Sequence, residues 1–204
     1  VRLVPHYIKV LETGRLNKNP SIQFNGLKPS SGLLDGDHSQ GALPTYTAMD
    51  YAIEMAKKTG IAAVGVTNSS HFGPAGAYTL YAAKKNMIAL AFCNSDSFVR
   101  LYDGAERFHG TNPISMAVPT GGSNPWLFDM ATSSVPFNRV ELYRSLNQKL
   151  PSDVASDVSG NSTEDPHIAE MLDPLGAKFG FKGAGLGGIS EILSAVLTLS
   201  LIHI

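Results

Sequence analysis

Apolar positions along this chain follow two patterns, a helical spacing near 3.6 residues and short unbroken runs that suit buried strands. The opening "VRLVPHYIKVLETG" (1–14) places Leu3, Tyr7, Ile8 and Leu11 on one helical face, as if the chain began in mid-helix. Residues 48–59 carry Met49, Ala52, Ile53 and Ala56 at helical spacing and run into Gly60, a residue suited to a C-terminal stop. "IAAVGVT" (61–67) then reads as a buried strand, a second helix follows over about 75–86, and "IALAFC" (88–93) reads as another strand. That order of strand, loop, helix and strand predicts a crossover between parallel neighbours. Further strands are predicted at "ISMAVP" (114–119) and "WLFDMA" (126–131), and a surface loop at 150–166, rich in Ser, Asp, Gly and Pro. A last helix is predicted from about Leu186, with Ile189, Ile192, Leu193, Val196 and Leu197 facing inward. The alternation points to an α/β or α+β protein rather than a bundle or sandwich.

Composition narrows the picture without changing it. The 204 residues suffice for one sizeable fold, and 43% hydrophobic content with a formal net charge of −1 gives no bias toward nucleic acid or a membrane surface. One cysteine, Cys93, cannot close an intrachain disulfide, and neither a leader pattern nor an apolar run of membrane length is present. The sequence is therefore read as cytoplasmic. Its histidines show no metal-ligand spacing and no G-x-S-x-G elbow occurs, so neither a metal centre nor a hydrolase is expected.

"GFKGAGLGG" (180–188) contains the G-x-G-x-x-G spacing of a dinucleotide-binding turn. Such a turn needs a following helix and a second strand that ends in a ribose-binding acid. Too little chain follows Gly188 for that, and Glu191, the one acid left, falls in the first turn of the predicted helix. The Rossmann reading fails on context. A better chemical candidate is "NSSHFGPAG" (68–76), between a predicted strand end and a helix start, where α/β proteins tend to place ligands. His71 lies in its middle. A histidine there can exchange a proton near neutral pH, and the helix N-terminus disfavours its charged form. Spacing alone leaves two readings open, a proton-transfer base or a helix cap.

Four motifs in fixed order, "TNSSHFGPAGAYTLYAAKKNMIALAFCNSD", "GTNPISMAVP", "LFDMATSS" and "PLGAKFGFKGAGLGGISEILSAVL", extend the reading. With them the chain resembles, over residues 1 to about 198, the malate/L-lactate dehydrogenase family of the non-Rossmann type. That family also includes ureidoglycolate dehydrogenase and the piperideine-carboxylate and diketogulonate reductases. The resemblance implies a mixed α/β sheet with flanking helices, and an NAD- or NADP-dependent oxidoreductase. It would move a hydride between nicotinamide and a 2-hydroxy acid or its 2-oxo counterpart. It also implies a homodimer. His71 matches the family's proton-handling histidine, and Arg2 matches an arginine that would bind the substrate carboxylate by a two-pronged charge-assisted contact. Ser95, Asp129, Met130, Ala131 and Lys182 match cofactor contacts. Thr111 and Asn112, in "GTNP", are read first as architectural and second as lining the substrate site.

The sequence departs from the family in three places. A Ser-His-Gly motif expected just before Val1 is absent, and its histidine is the proposed acid in some members, so the proton role stays open between it and His71. Leu101 and Asp103 stand where many relatives have proline and glycine, and "VPFNRV" (135–140) replaces a more usual run, which leaves the particular acid open. Residues 1–25 are read as the remnant of a helical domain, 26–198 as the cofactor-binding domain, and the adapter-like "LSLIHI" (199–204) as a non-native tail. The rival reading is a noncatalytic or truncated fragment that binds nucleotide without turnover.

Overall fold

A computed structural model describes residues 4–198, so Arg2, Leu3 and the tail at 199–204 lie outside the described residues. In chain order the elements begin with α1 (Val4–Glu12), β1 (Gln23–Lys28), β2 (Ser31–Ser39), α2 (Ala42–Thr59), β3 (Ala63–Ser69) and α3 (Gly76–Ala83). They continue with β4 (Ala89–Phe92), β5 (Val99–Arg100), β6 (Arg107–His109), β7 (Ile114–Val118), β8 (Trp126–Met130) and α4 (Phe137–Leu146). The last are β9 (Ala155–Ser156), β10 (Met171–Leu172) and α5 (Phe181–Glu191), with a π-helical turn over Ile192–Val196. This is the mixed α/β class that the pattern predicted. The described residues divide into two compact units, one of 4–89, 117–127 and 197–198, the other of 90–116 and 128–196.

The first unit holds a sheet in the order β1-β2-β3. β1 and β2 form an antiparallel hairpin, and β2 runs parallel to β3 from Ser31↔Ala63 to Asp35↔Thr67. The helix that returns the chain between these parallel strands is α2, so the crossover is β2-α2-β3. The predicted crossover at β3-α3-β4 is corrected, because β4 joins a different sheet, of order β4-β7-β8. Periodicity identifies strands and helices, but it does not say which sheet edge a strand will reach. β2 went unpredicted because Gly, Asp and His interrupt its alternation, although Leu34 at its centre is fully buried. α2 starts six residues before the predicted 48. The Gln40 carboxamide oxygen accepts from the Ala42 amide at 2.9 Å, and Pro44 falls in the first turn, where its missing amide costs little. It ends as expected at Gly60, whose φ of 85° suits glycine and whose amide closes on the Ala56 carbonyl. Ile53, Ala82 and Ala89 form the small core, flanked by Met49, Tyr81 and Met87. In α1 the buried residue is Val10, whereas Ile8 of the predicted inner face is half exposed.

The second unit contains a four-stranded sheet in the order β6-β5-β10-β9, with β10 parallel to β5 and antiparallel to β9. Val99, Val140, Leu150, Val154, Ala155, Ala169 and Leu172 make its core, and Phe98, Val135, Phe137 and Tyr143 pack around them. The predicted loop at 150–166 therefore includes a short strand, β9. The last helix begins at Phe181 rather than near Leu186, and its inward face is also corrected. Gly183, Gly187, Ser190 and Ala195 are buried, while Ile189 and Ile192 are 50% and 57% exposed. Close approach of backbone decides the orientation. A Cβ on Gly183 would stand 2.3 Å from the Leu175 carbonyl oxygen, a separation that only glycine allows.

Candidate functional site

His71 occupies the loop between β3 and α3, and the chain pins that loop from several sides. At its entry Asn68 takes a left-handed φ of 47° and donates to both carboxylate oxygens of Asp35 at 3.1 and 3.2 Å. Gly41 gives passage beneath it, since a Cβ there would come 2.0 Å from the Ser70 carbonyl oxygen. The Gln40 side chain donates to the His71 carbonyl at 2.9 Å. The Tyr78 hydroxyl donates to the Phe72 carbonyl, with the two rings stacked at 5.2 Å. A rigid backbone thus presents an exposed imidazole. Its Nδ1 lies 2.6 Å from the Tyr7 hydroxyl oxygen. Protein packed against the ring lowers its pKa below the usual 6.5 first by desolvation and then through nearby His6. α3 starts after Ala75, four residues beyond His71, and the imidazole contact described above is to Tyr7. When Nδ1–H donates to Tyr7, Nε2 keeps a lone pair and can accept a proton.

The remaining described candidates belong to the second unit. Ser95 follows β4; its amide donates to the Asn112 side-chain oxygen at 3.1 Å, and its Oγ accepts from the Thr111 amide at 2.9 Å. The Thr111 and Ser95 hydroxyls lie 3.3 Å apart. Gly110 permits this packing, because a Cβ there would fall 2.3 Å from Ser95 Oγ. Asn112 is fully buried with a left-handed φ of 33°, and its amide nitrogen donates to the Gly187 carbonyl and to Glu191 Oε2. All of its side-chain contacts named here go to protein.

Asp129, Met130 and Ala131 end β8 and leave it, Asp129 exposed and the other two half-buried. The Thr132 amide donates to the Thr111 carbonyl, and the Leu175 amide donates in turn to the Thr132 carbonyl, both at 2.9 Å. The Gly183 amide then bonds the Leu175 carbonyl at 3.1 Å, so backbone links run from Thr111 past the end of β8 to α5. Lys182, exposed in the first turn of α5, holds its ammonium 5.2 Å from the Phe179 ring centroid. Ser95, Thr111 and Asn112 are thus joined by direct hydrogen bonds and tied through Asn112 to α5, which carries Lys182; Asp129–Ala131 lie in the same unit, whereas His71 stands in the other.

Sequence reasoning missed several contributors. Tyr7 was visible only as a helix-face residue, and nothing in its spacing signalled a partner 64 positions away. Asn94, 6% exposed, carries a buried side-chain nitrogen without a hydrogen-bond partner among the described residues, immediately before Ser95. Arg100 and Asp173 form a 2.6 Å ion pair with side chains 15% and 8% exposed. Burial pushes the Cys93 thiol up to about 12, with the charge of Glu191 adding to the effect, so this cysteine is no nucleophile at neutral pH. Among the described residues no cluster of three or more His, Cys, Asp or Glu could hold a metal ion, and no helix is long and apolar enough to cross a membrane.

Comparison with known proteins follows the same lines. Over 97% of its length the chain is 41% identical to a malate dehydrogenase of Pyrococcus abyssi, of which it covers 56%. It is 33% identical to an NAD(+) ureidoglycolate dehydrogenase of Escherichia coli O157:H7, over 95% of this chain and 55% of that one. The crystal structure of malate dehydrogenase from Entamoeba histolytica superposes with a TM-score of 0.89 at 32% identity, covering 96% of this chain and 57% of that one. The chain thus spans a little over half the length of the relatives it matches. The family model for malate/L-lactate dehydrogenase matches residues 1–203, and the chain belongs to that family.

Proposed function

We propose that the protein is an NAD(P)-dependent oxidoreductase acting on a 2-hydroxy acid or the corresponding 2-oxo acid, of the size of malate, lactate or ureidoglycolate. The observation that carries this reading is His71. It is exposed on a pinned strand-to-helix loop, less basic than an ordinary imidazole, and paired through Nδ1 with a phenol. Oxidation of a secondary alcohol requires a base for the hydroxyl proton, and reduction requires the same group as an acid. His71 Nε2 fills both roles, with Tyr7 holding the ring in place and able to accept from or donate to Nδ1 as the ring's proton moves.

The second unit suits the nicotinamide dinucleotide. It offers mainly donors: the Ser95 and Thr111 hydroxyls, the orphaned Asn94 side-chain nitrogen and the Lys182 ammonium. Such a set complements a ligand rich in phosphate and carbonyl oxygens. Ser95, the backbone of Asp129, Met130 and Ala131, and Lys182 would hold NAD or NADP. When bound, it supplies the acceptor or donor of the hydride. Asn112 acts by holding Ser95, Thr111 serves the substrate side, and Arg2, outside the described residues, binds the substrate carboxylate. Residues 1–25 are assigned to a helical domain and 26–198 to the cofactor-binding domain. The protein is placed in the cytoplasm as a homodimer, without nucleic-acid or membrane partners and without a metal.

The test uses protein produced from its full natural reading frame and a panel of 2-oxo and 2-hydroxy acids, with NADH, NADPH and their oxidised forms. Absorbance change with at least one acid is expected, and His71→Asn should lower turnover by about 10²–10⁴-fold. Absence of turnover across the panel contradicts the activity, and full turnover by the variant contradicts the proton assignment.

A further inference from the structure

We infer that Glu191 is a positioning residue for the Ser95 contact, acting through Asn112, and that α5 thereby fixes cofactor contacts from both of its ends. The inference rests on the dinucleotide reading above. Glu191, set aside as a ribose acid in the sequence, is the last residue of α5 and half-buried. Its Oε2 accepts from the Asn112 side-chain nitrogen at 2.7 Å, and the same nitrogen reaches the Gly187 carbonyl one turn earlier at 3.1 Å. These two bonds orient the amide so that its oxygen faces the Ser95 amide, which donates to it at 3.1 Å. A flipped amide would place its NH₂ against that N–H, two donors face to face. The carboxylate therefore selects the orientation that holds Ser95.

One shared hydrogen bond closes the same end of the helix. Ser190, fully buried, donates from Oγ toward the Cys93 carbonyl at 3.2 Å and the Pro113 carbonyl at 3.3 Å. Cys93 and Pro113 lie on the two segments that carry Ser95 and the Thr111–Asn112 pair. The C-terminal turn of α5 thus grips both segments, while its first turn carries Lys182. The nine steps of helix from Lys182 to Glu191, about 14 Å at 1.5 Å per residue, set the spacing. A left-handed backbone at Asn112, unfavourable for most side chains, persists because these bonds over-determine it.

The test compares Glu191→Ala and Glu191→Gln with the wild type in the full-length protein. NADH and NADPH affinity is measured by fluorescence titration, and amide hydrogen exchange is followed at Ser95. Alanine should weaken binding about tenfold and speed Ser95 exchange, the loss of a charge-assisted hydrogen bond. Glutamine, whose amide oxygen can still accept, should stay within about threefold of the wild type. Adding Ser95→Ala to Glu191→Ala should cost little more than either change alone, since both act on one contact. Wild-type affinity and unchanged Ser95 exchange in a folded alanine variant overturn the positioning role, as do additive losses in the double variant. If the wild type binds neither nucleotide, the dinucleotide reading itself falls, and accelerated exchange in Glu191→Ala then marks the tie as structural only.

Discussion

An imidazole held by a phenol at one nitrogen presents the other in a fixed orientation, which is why the Tyr7–His71 pair matters more than either residue alone. Tyr7→Phe keeps the ring and removes the hydroxyl, so a loss of about tenfold in kcat/KM is expected with little change in melting temperature, a partner effect of about 1.4 kcal/mol. Protonation gives a second prediction at this scale. Burial lowers the pKa of both His71 and His109 from 6.5, with Glu191 partly opposing the shift at His109. The unfolded chain therefore binds more protons than the folded one as pH falls through 6.5, and stability should fall with it. Thermal melts between pH 8 and 5 should show this slope, and His109→Gln should flatten it. In steady-state assays, 2-hydroxy acid oxidation should rise with pH with a midpoint below 6.5, because neutral His71 is the base.

Helices in this chain are positioned as much by what is missing from their faces as by apolar residues. α5 turns glycines inward and leaves Ile189 and Ile192 outside, the reverse of the arrangement that periodicity predicts. Hydrophobic spacing could not reveal this, because the deciding contact is backbone on backbone at Gly183 and Leu175. A pair of substitutions separates the two kinds of glycine. Gly183→Ala would force a Cβ to 2.3 Å from the Leu175 carbonyl and should destabilise by about 2 kcal/mol or more in denaturant titration. Gly185→Ala, with nothing within 4 Å of the added carbon, should stabilise by about 0.5–1 kcal/mol through helix propensity. The true crossover partner of α2 escaped prediction for a related reason. The choice of sheet edge is a property of the assembled chain, whereas the Gln40 bond, Pro44 and the Gly60 stop are all local; only the stop was read, because the helical spacing used to place α2 begins at Met49.

At the level of the whole molecule, the four ordered motifs made the family legible and the pairing of distant segments was not. "NSD", "GTNP" and "FDMA" are each short and weak, yet the fold gathers Ser95, Thr111 and the end of β8 through direct hydrogen bonds. The Arg100–Asp173 ion pair, 73 positions apart in sequence, illustrates what patterning cannot carry. Ser156 also donates to the Asp173 carboxylate, whose backbone bonds Val154 and Ser134. Asp173→Ala would strand a largely buried guanidinium, and a loss of about 3–5 kcal/mol is expected in denaturant titration. The proposed activity rests on direct hydride transfer between the substrate carbon and the nicotinamide. Oxidised cofactor incubated with a 2-hydroxy acid deuterated at C2 tests it most directly, read as the mass of the reduced cofactor. A gain of one deuterium per cofactor reduced is expected; reduction without deuterium, or no reduction with any acid of the class, rules direct transfer out.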